Sequence, residues 1–228
     1  MARARELVRA PAVGRRRASP DGPGRERLLD AAIALFAERG IASTTVAQIA
    51  AAGHVTAAMV HYWFHTRDKL QDAIVEERIA PLLREVWGAT DRGDDDAGEM
   101  VRGLVRRMLD VTERTPWLPA LWLREIVQEG GLLRERMLKR APLERMRVFR
   151  ARVARAQARG EIHPGVAPEL LFLSMLALVM LPQAVARTWR RVSPDAVIDR
   201  ARLERHVLSL LTEGLAAPTR ARVPRRNA

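Results

Sequence analysis

The sequence predicts an all-α protein, with an N-terminal three-helix helix-turn-helix domain followed by a larger C-terminal helical domain. Three observations predict it. From Arg25 onward apolar residues recur at i, i+3 and i+4, the period of a helix buried along one face. Several of these stretches open on Thr-Pro, Ala-Pro or Ser-Pro, which places proline in a first helical turn, where its missing donor costs nothing. No stretch alternates apolar and polar residues convincingly enough to be a strand, and no internal repeat is visible.

Residues 1–24 are arginine-rich and have no sustained apolar period, which predicts a disordered basic arm. The first helix runs from Arg25 through Leu28, Leu29, Ala32, Ile33, Leu35 and Phe36, and Gly40 stops it. Thr44 or Thr45 caps a short second helix that turns Val46, Ile49 and Ala50 inward and breaks at Gly53-His54. Thr56 caps a third, from Ala57 to about Trp63. Arg67 or Asp68 opens a long amphipathic helix through Leu70, Ile74, Val75, Ile79, Leu82, Leu83 and Val86, in which Pro81 predicts a kink or a break. Gly88 to Gly98 is an acidic, glycine-bearing linker. Its Asp91, Asp94, Asp95 and Asp96 lack the alternating ligands of a calcium loop, so they read as a solvated linker ending in a helix cap. Further helices are expected over Glu99–Glu113, Pro119–Glu129, Leu132–Arg140, Pro142–Arg159, Pro168 to about Arg190, and Pro194–Glu213. These elements divide into domains of 25–70 and 71–213, with a basic tail over 214–228.

Composition narrows the function. The 228 residues can bury an ample core without a staple, and no cysteine is present, so disulfides, thiolate catalysis and Cys-based zinc sites are excluded. A net charge of +12 favours polyanionic partners, nucleic acid or an anionic membrane. The N-terminus has no apolar signal region, so a cytoplasmic location is expected. From Leu170 to Ala186 there is no charge, but the run is shorter than the roughly 20 residues of a membrane span, which favours a buried helix over a membrane partner. His61 and His65 have metal-ligand spacing, with His54 nearby, yet no carboxylate adjoins them; no metal and no cofactor are expected. No catalytic triad, phosphate loop or carboxylate pair is visible, and an enzyme would need a site around Glu125, His163 or His206.

Two short helices joined by a tight turn, between two longer helices, are the layout of a helix-turn-helix DNA reader. Thr44, Thr45 and Thr56 bring hydroxyls and free backbone N–H groups to two helix N-termini, which suits phosphate oxygens. The stretches "RLLDAAIALFAERG", "TTVAQIA", "VTAAMVHYWF" and "TRDKL", in that order and spacing, resemble the N-terminal domain of the TetR family of transcriptional regulators over residues 25–75. The resemblance implies a ligand-responsive regulator, most simply a repressor, that binds a palindromic DNA operator as a homodimer and is not an enzyme. It implies that Thr44 and Thr45 start the helix behind the reader. Thr56, Ala57, Ala58, His61 and Tyr62 would lie on the recognition helix, and Arg67 would stand at a phosphate-contacting position. Phe64 and Leu70 would be core. His54 replaces the family's usual turn glycine, and Gly53 is expected to absorb the left-handed turn; His61 replaces a usual tyrosine. The basic arm either enters the minor groove or adds only salt-sensitive affinity. A membrane-surface protein shares the electrostatics, but not the helix-turn-helix signature.

The same resemblance places a small-molecule effector site and the dimer interface after residue 98. Leu104, Met108, Trp117, Trp122, Met137, Met146, Phe149 and Met175 supply adaptable apolar surface for an apolar effector, though at helical spacing they are equally core residues. The Pro168–Arg190 helix is apolar nearly all round, so it needs cover on more than one side. With Pro194–Glu213 it would form a four-helix interface between two copies.

Overall fold

A computed structural model describes residues 22–88, 96–195 and 197–215. The basic arm, apart from its last residues, most of the acidic linker and most of the tail lie outside the described residues. The chain forms α1 (Pro23–Arg39), α2 (Val46–Ala52), α3 (Ala57–Phe64), α4 (Arg67–Ile74), a π-helical turn (Val75–Ile79), α5 (Ala80–Gly88), α6 (Ala97–Arg114), α7 (Leu118–Trp122), a second π turn (Leu123–Val127), α8 (Arg134–Leu138), α9 (Leu143–Ala158), α10 (Pro168–Val192) and α11 (Arg200–Leu215). No strand element occurs among the described residues.

Local chemistry sets the ends of these helices. Pro23 stands in the first turn of α1, which therefore starts two residues before the expected Arg25, and Gly40, at φ 86°, lets its N–H reach back to the Phe36 carbonyl. Thr45 caps α2 through a capping box, its hydroxyl accepting the Gln48 N–H while the Gln48 side chain accepts the Thr45 N–H at 2.8 Å. Thr66, one residue before the expected start, caps α4 through the Lys69 N–H. Asp96 caps α6 through Gly98 and Glu99. Asp199 does the same for α11 through Arg202, which delays that helix from the expected Pro194 to Arg200.

Pro81 does not break the long helix. The π turn directly precedes it, and the Ala80 N–H reaches the Val75 carbonyl. Pro81 has no N–H for the Glu77 carbonyl, and the wider turn absorbs that loss within a continuous rod from Arg67 to Gly88. The expected Pro119–Glu129 helix is likewise α7 followed by a π turn, and it stops at Gln128, whose backbone is extended.

Two apolar clusters form. The first joins Leu28, Leu29, Ile33 and Phe36 of α1 with Ile49, Val60 and Phe64, with Leu70, Ile74 and Ile79 of the rod, and with Leu121 and Leu133 from beyond the linker. The second gathers Val86 and Trp87 of the same rod with α6, Phe149, Val153, Leu171, Met175, Val179, Leu203 and Val207. Arg107 donates to the Val86 carbonyl at 2.7 Å, a cation at the C-terminal end of α5. The chain covers α10 on one side only. Leu171, Met175, Val179 and Met180 are buried, while Leu170, Leu173, Leu181 and Trp189 are exposed, which departs from the buried helix expected of its sequence. At 25 residues the observed helix is also longer than its uncharged run, and by length and composition it could cross a membrane.

Ion pairs fasten α1 to the rod. Arg25 grips Glu77 with two bonds of 2.6 Å and lies 4.9 Å over the Phe64 ring; Arg78 reaches Glu26 and Asp30. The Arg25 hydrogen bonds hold the Glu77 carboxyl below its usual range. That stabilisation is complete above pH 4.5 and fades as pH falls through the lowered value. We expect Glu77→Gln to cost about 0.5–1 kcal/mol at pH 7 in urea melts, with a smaller difference at about pH 3. An equal difference at both pH values would sink this assignment.

Candidate nucleic-acid interface

α1 and the rod hold two short helices so that one surface is left free. Ile49 and Ala50 of α2, with Val60 and Phe64 of α3, point into the shared core. The phase of α3 then turns Ala57, Ala58, His61 and Tyr62 outward, and all four are exposed, Tyr62 at 56%. The Thr56 hydroxyl accepts the Met59 N–H at 3.3 Å, which leaves the Ala57 and Ala58 amides of the first turn of α3 without a partner inside the helix; Thr45, at the start of α2, is also exposed. Short side chains, unpaired amides and a phenol on one convex ridge suit the phosphates and base edges of a major groove.

Trp63 and Phe64 serve as core anchors. Phe64 is buried, and Trp63 packs against α1 so closely that a Cβ at Gly24 would fall 2.9 Å from its ring. The Trp63 indole nitrogen is buried without a hydrogen-bond partner among the described residues.

Three expectations need correction. Thr44 is fully buried: its hydroxyl donates to the Gly40 carbonyl at 2.7 Å and its N–H to the Ile41 carbonyl, so it ties the α1–α2 turn and presents nothing to a phosphate. The turn between α2 and α3 is also reversed from expectation. Gly53 is right-handed, at φ −81°, and His54 itself takes the left-handed conformation, at φ 53°. Gly53 is needed for space, since a Cβ there would meet Leu28 at 3.0 Å and the Ile49 carbonyl at 3.3 Å. Third, the eight residues named for an effector do not line one cavity. Leu104, Met108, Phe149 and Met175 are buried in the second cluster, with Trp117, Trp122 and Met146 packed at its edge, while Met137 packs against the first. Their neighbourhood is filled by an aromatic group in which Trp87 stands edge-on to Phe149 at 6.1 Å and 4.7 Å from Phe172.

Arg67 is partly buried, and its guanidinium donates to the Ile41 carbonyl, so its first role is to brace the reader. The histidines of α3 bond crosswise, the His65 ring reaching the His61 carbonyl at 3.1 Å, and no group of metal-binding side chains forms among the described residues. Glu125, His163 and His206 occupy separate places. Glu125 lies against the α1–α2 turn, His163 accepts the Gly165 N–H, and His206 lines a groove between α10 and α11.

Of the eight residues named for an effector, Met146 and Phe149 border a cavity of about 230 Å³, beside Phe172. A larger one, about 880 Å³, is lined by Val101, Ile162 and Leu211 together with Arg102, Arg155 and Arg159, and includes none of those eight. The groove between α10 and α11 is about 480 Å³, lined by Leu181, Trp189 and Val197.

The reversed turn can be tested with two substitutions. His54→Gly should stabilise by about 1 kcal/mol by relieving a left-handed residue, raising Tm by about 2–4 °C. Gly53→Ala should destabilise by about 1–3 kcal/mol through the contacts with Leu28. The opposite pair of signs in calorimetry would restore Gly53 as the left-handed residue.

Comparison with known proteins agrees with this geometry. Residues 28–74 match the family described as bacterial regulatory proteins, tetR family. The nicotine-responsive transcriptional repressor HdnoR of Paenarthrobacter nicotinovorans is 30% identical over 87 residues, covering 38% of this chain and 42% of that protein. The transcriptional regulator BetI of Burkholderia thailandensis is 27% identical over 103 residues, or 43% and 51% of the two chains. The chain thus spans about half the length of the curated relatives it matches. The whole fold is shared with the ketosteroid transcriptional regulator KstR2 of Mycobacterium tuberculosis, at a TM-score of 0.68 and 16% identity over 88% of this chain and 99% of that one. It is shared also with FadR of Bacillus subtilis, solved with stearoyl-CoA, at 0.62 and 19% over 84% and 99%. Residues 28–74 are thus similar to the helix-turn-helix domain of the tetR family of bacterial regulatory proteins.

Proposed function

We propose that this protein is a ligand-responsive repressor in the cytoplasm that binds a palindromic DNA operator as a homodimer and is released by a small, mostly apolar effector. The observation that carries the reading is the single exposed ridge of Thr45, Thr56, Ala57, Ala58, His61 and Tyr62 on a helix-turn-helix that matches the family. Residues 25–70 act as the reader and 71–213 as the effector and dimerisation domain. Ala57 and Ala58 allow the backbone to approach the groove and can contact a thymine methyl. Tyr62 and His61 reach phosphates or bases, and Arg67 adds a cation behind them.

In this reading the outward face of α10 is covered by a second copy. Leu170, Leu173 and Leu181 of α10, and Val197 beyond it, are each about half exposed, apolar side chains that a second copy would take out of water. The two reader helices would then sit about 35 Å apart, one turn of duplex. The effector would be mostly apolar, as is the acyl chain of the stearoyl-CoA with which one of the proteins compared above was solved. Binding in the second cluster, it would favour an arrangement whose readers no longer match the groove spacing and so shift the population off the operator.

Selection of duplexes from a random pool by the purified protein, at about 150 mM salt with competitor DNA, should recover a palindrome with half-sites about one helical turn apart. Recovery of no motif would reduce the protein to nonspecific basic binding. Sedimentation at micromolar concentration should show a dimer, and Leu173→Arg should shift it to monomer while leaving the helical content intact. A wild-type monomer would remove the proposed interface.

A further inference from the structure

Glu125 stands on the π turn Leu123–Val127 and is 5% exposed, away from the ridge that would meet DNA. Its oxygens are used separately: Oε1 accepts the N–H of Ile41 at 2.8 Å and Oε2 that of Leu132 at 3.2 Å, while its main-chain carbonyl accepts the Leu133 N–H at 3.1 Å. Ile41 lies between α1 and α2 and is fully buried, and its carbonyl is held by Arg67 from α4. One residue of the reader is therefore held through its N–H from the C-terminal domain and through its carbonyl from the rod.

We propose that Glu125 is a positioning residue for DNA recognition: by anchoring the α1–α2 turn it fixes the tilt of the reader on the C-terminal domain and hence the half-site spacing a dimer accepts. The proposal rests on the reading of the protein as a dimeric operator binder.

Other links between the domains are weaker setters of position. Arg136 pairs with Asp68 at 3.2 Å and Asp72 at 2.7 Å, and Arg140 pairs with Glu76, but these arginines are 25% and 49% exposed and salt screens them. The Glu125 bonds are buried, so salt screens them far less. The surroundings leave little play. A Cβ at Gly40 would meet Glu125 Oε1 at 3.2 Å and Arg124 Cδ at 3.1 Å, and one at Gly131 would fall 2.6 Å from the Glu125 carbonyl carbon. The π turn also helps set the direction of the side chain. An extra residue in a turn rotates the later residues by about 100° relative to an unbroken α-helix.

The test uses the full-length protein and its Glu125→Ala and Glu125→Gln variants in the duplex selection, with affinities measured for the recovered palindrome and for a single half-site. The wild type should select one spacing. Glu125→Ala should recover the same half-site bases at several spacings and bind the preferred palindrome about tenfold more weakly, with half-site affinity changed less than about twofold. Glu125→Gln, which keeps the volume and one acceptor, should fall between them, and it decides the matter if the alanine variant fails to fold by circular dichroism. The effect should persist at about 300 mM salt, whereas any loss from Arg136→Ala should close there. Variants that keep the wild-type spacing and palindrome-to-half-site ratio would overturn the role of Glu125. A wild type that selects no motif overturns the proposed function itself, and this role with it.

Discussion

Everything else in the molecule depends on one rod being buried at both ends in different cores. Leu70, Ile74, Val75 and Ile79 are sealed into the reader's cluster, and Val86 and Trp87 into the C-terminal one. Each such side chain is worth roughly 1.5–3 kcal/mol when taken from water, so neither end can let go cheaply. The helix between them is continuous despite the missing Pro81 donor, so a displacement at Trp87 can be carried along it toward Leu70. Pro81 adds a second constraint. Because it cannot donate, the turn before it widens, and the angle between the two buried faces is set by where that wide turn falls.

The rod alone would leave the reader free to rock about its axis. Three sets of polar contacts oppose that, and they differ in kind. Arg25 and Arg78 bind the rod to α1 and so keep the reader whole. Arg136 of α8 and Arg140 just beyond it pair directly with carboxylates of the rod at the more exposed side of the joint. Only the Glu125 contact of these joins the α1–α2 turn to the C-terminal domain under cover. Leu121 and Leu133, on either side of it, lie within the reader's own cluster, so the interface between the domains is a continuation of the reader's core and not a separate seam.

The legible part of this arrangement is the part written in local chemistry. Helical period places α1 to α4 and α6 within a few residues, because an amphipathic stripe and a capping hydroxyl are properties of adjacent positions. Two residues could each cap α2, and the choice of Thr45 is not legible because what excludes Thr44 is its burial in the α1–α2 turn. The roles of Gly53 and His54 are hidden for a similar reason. Propensity assigns the left-handed residue to glycine, but here the approach of Leu28 claims the glycine, and the histidine must take the strained conformation. The π turns leave no period in the sequence, and Glu125 looks like any other charge in an amphipathic helix until Ile41, far away in the chain, is folded against it. Sequence offers candidate effector residues only by type, and residue type does not distinguish a side chain that lines a space from one that fills it.

That last difficulty bears on how an effector could act. Around Trp87 the core is closed by Phe149, Phe172 and Met175, and the cavity of about 230 Å³ beside Met146 is smaller than the 300–1,000 Å³ usual for a small-molecule site. In the proposed mechanism an apolar ligand that enters beside Trp87, and not the cavities of about 880 and 480 Å³ farther along the domain, must displace one of the aromatic neighbours of Trp87. Phe172 is the natural candidate, since it is only partly buried and lies against both the cavity and the Trp87 ring. Moving it removes support from the end of the rod, so opening the cavity and loosening the reader's position become one event. A ligand that binds only the opened form shifts the equilibrium by its full affinity for that form, whereas one that fits the closed form equally well would shift nothing. On this view a filled core is the condition for regulation: a preformed cavity would bind its ligand without disturbing Trp87, and the helix-turn-helix would receive no signal.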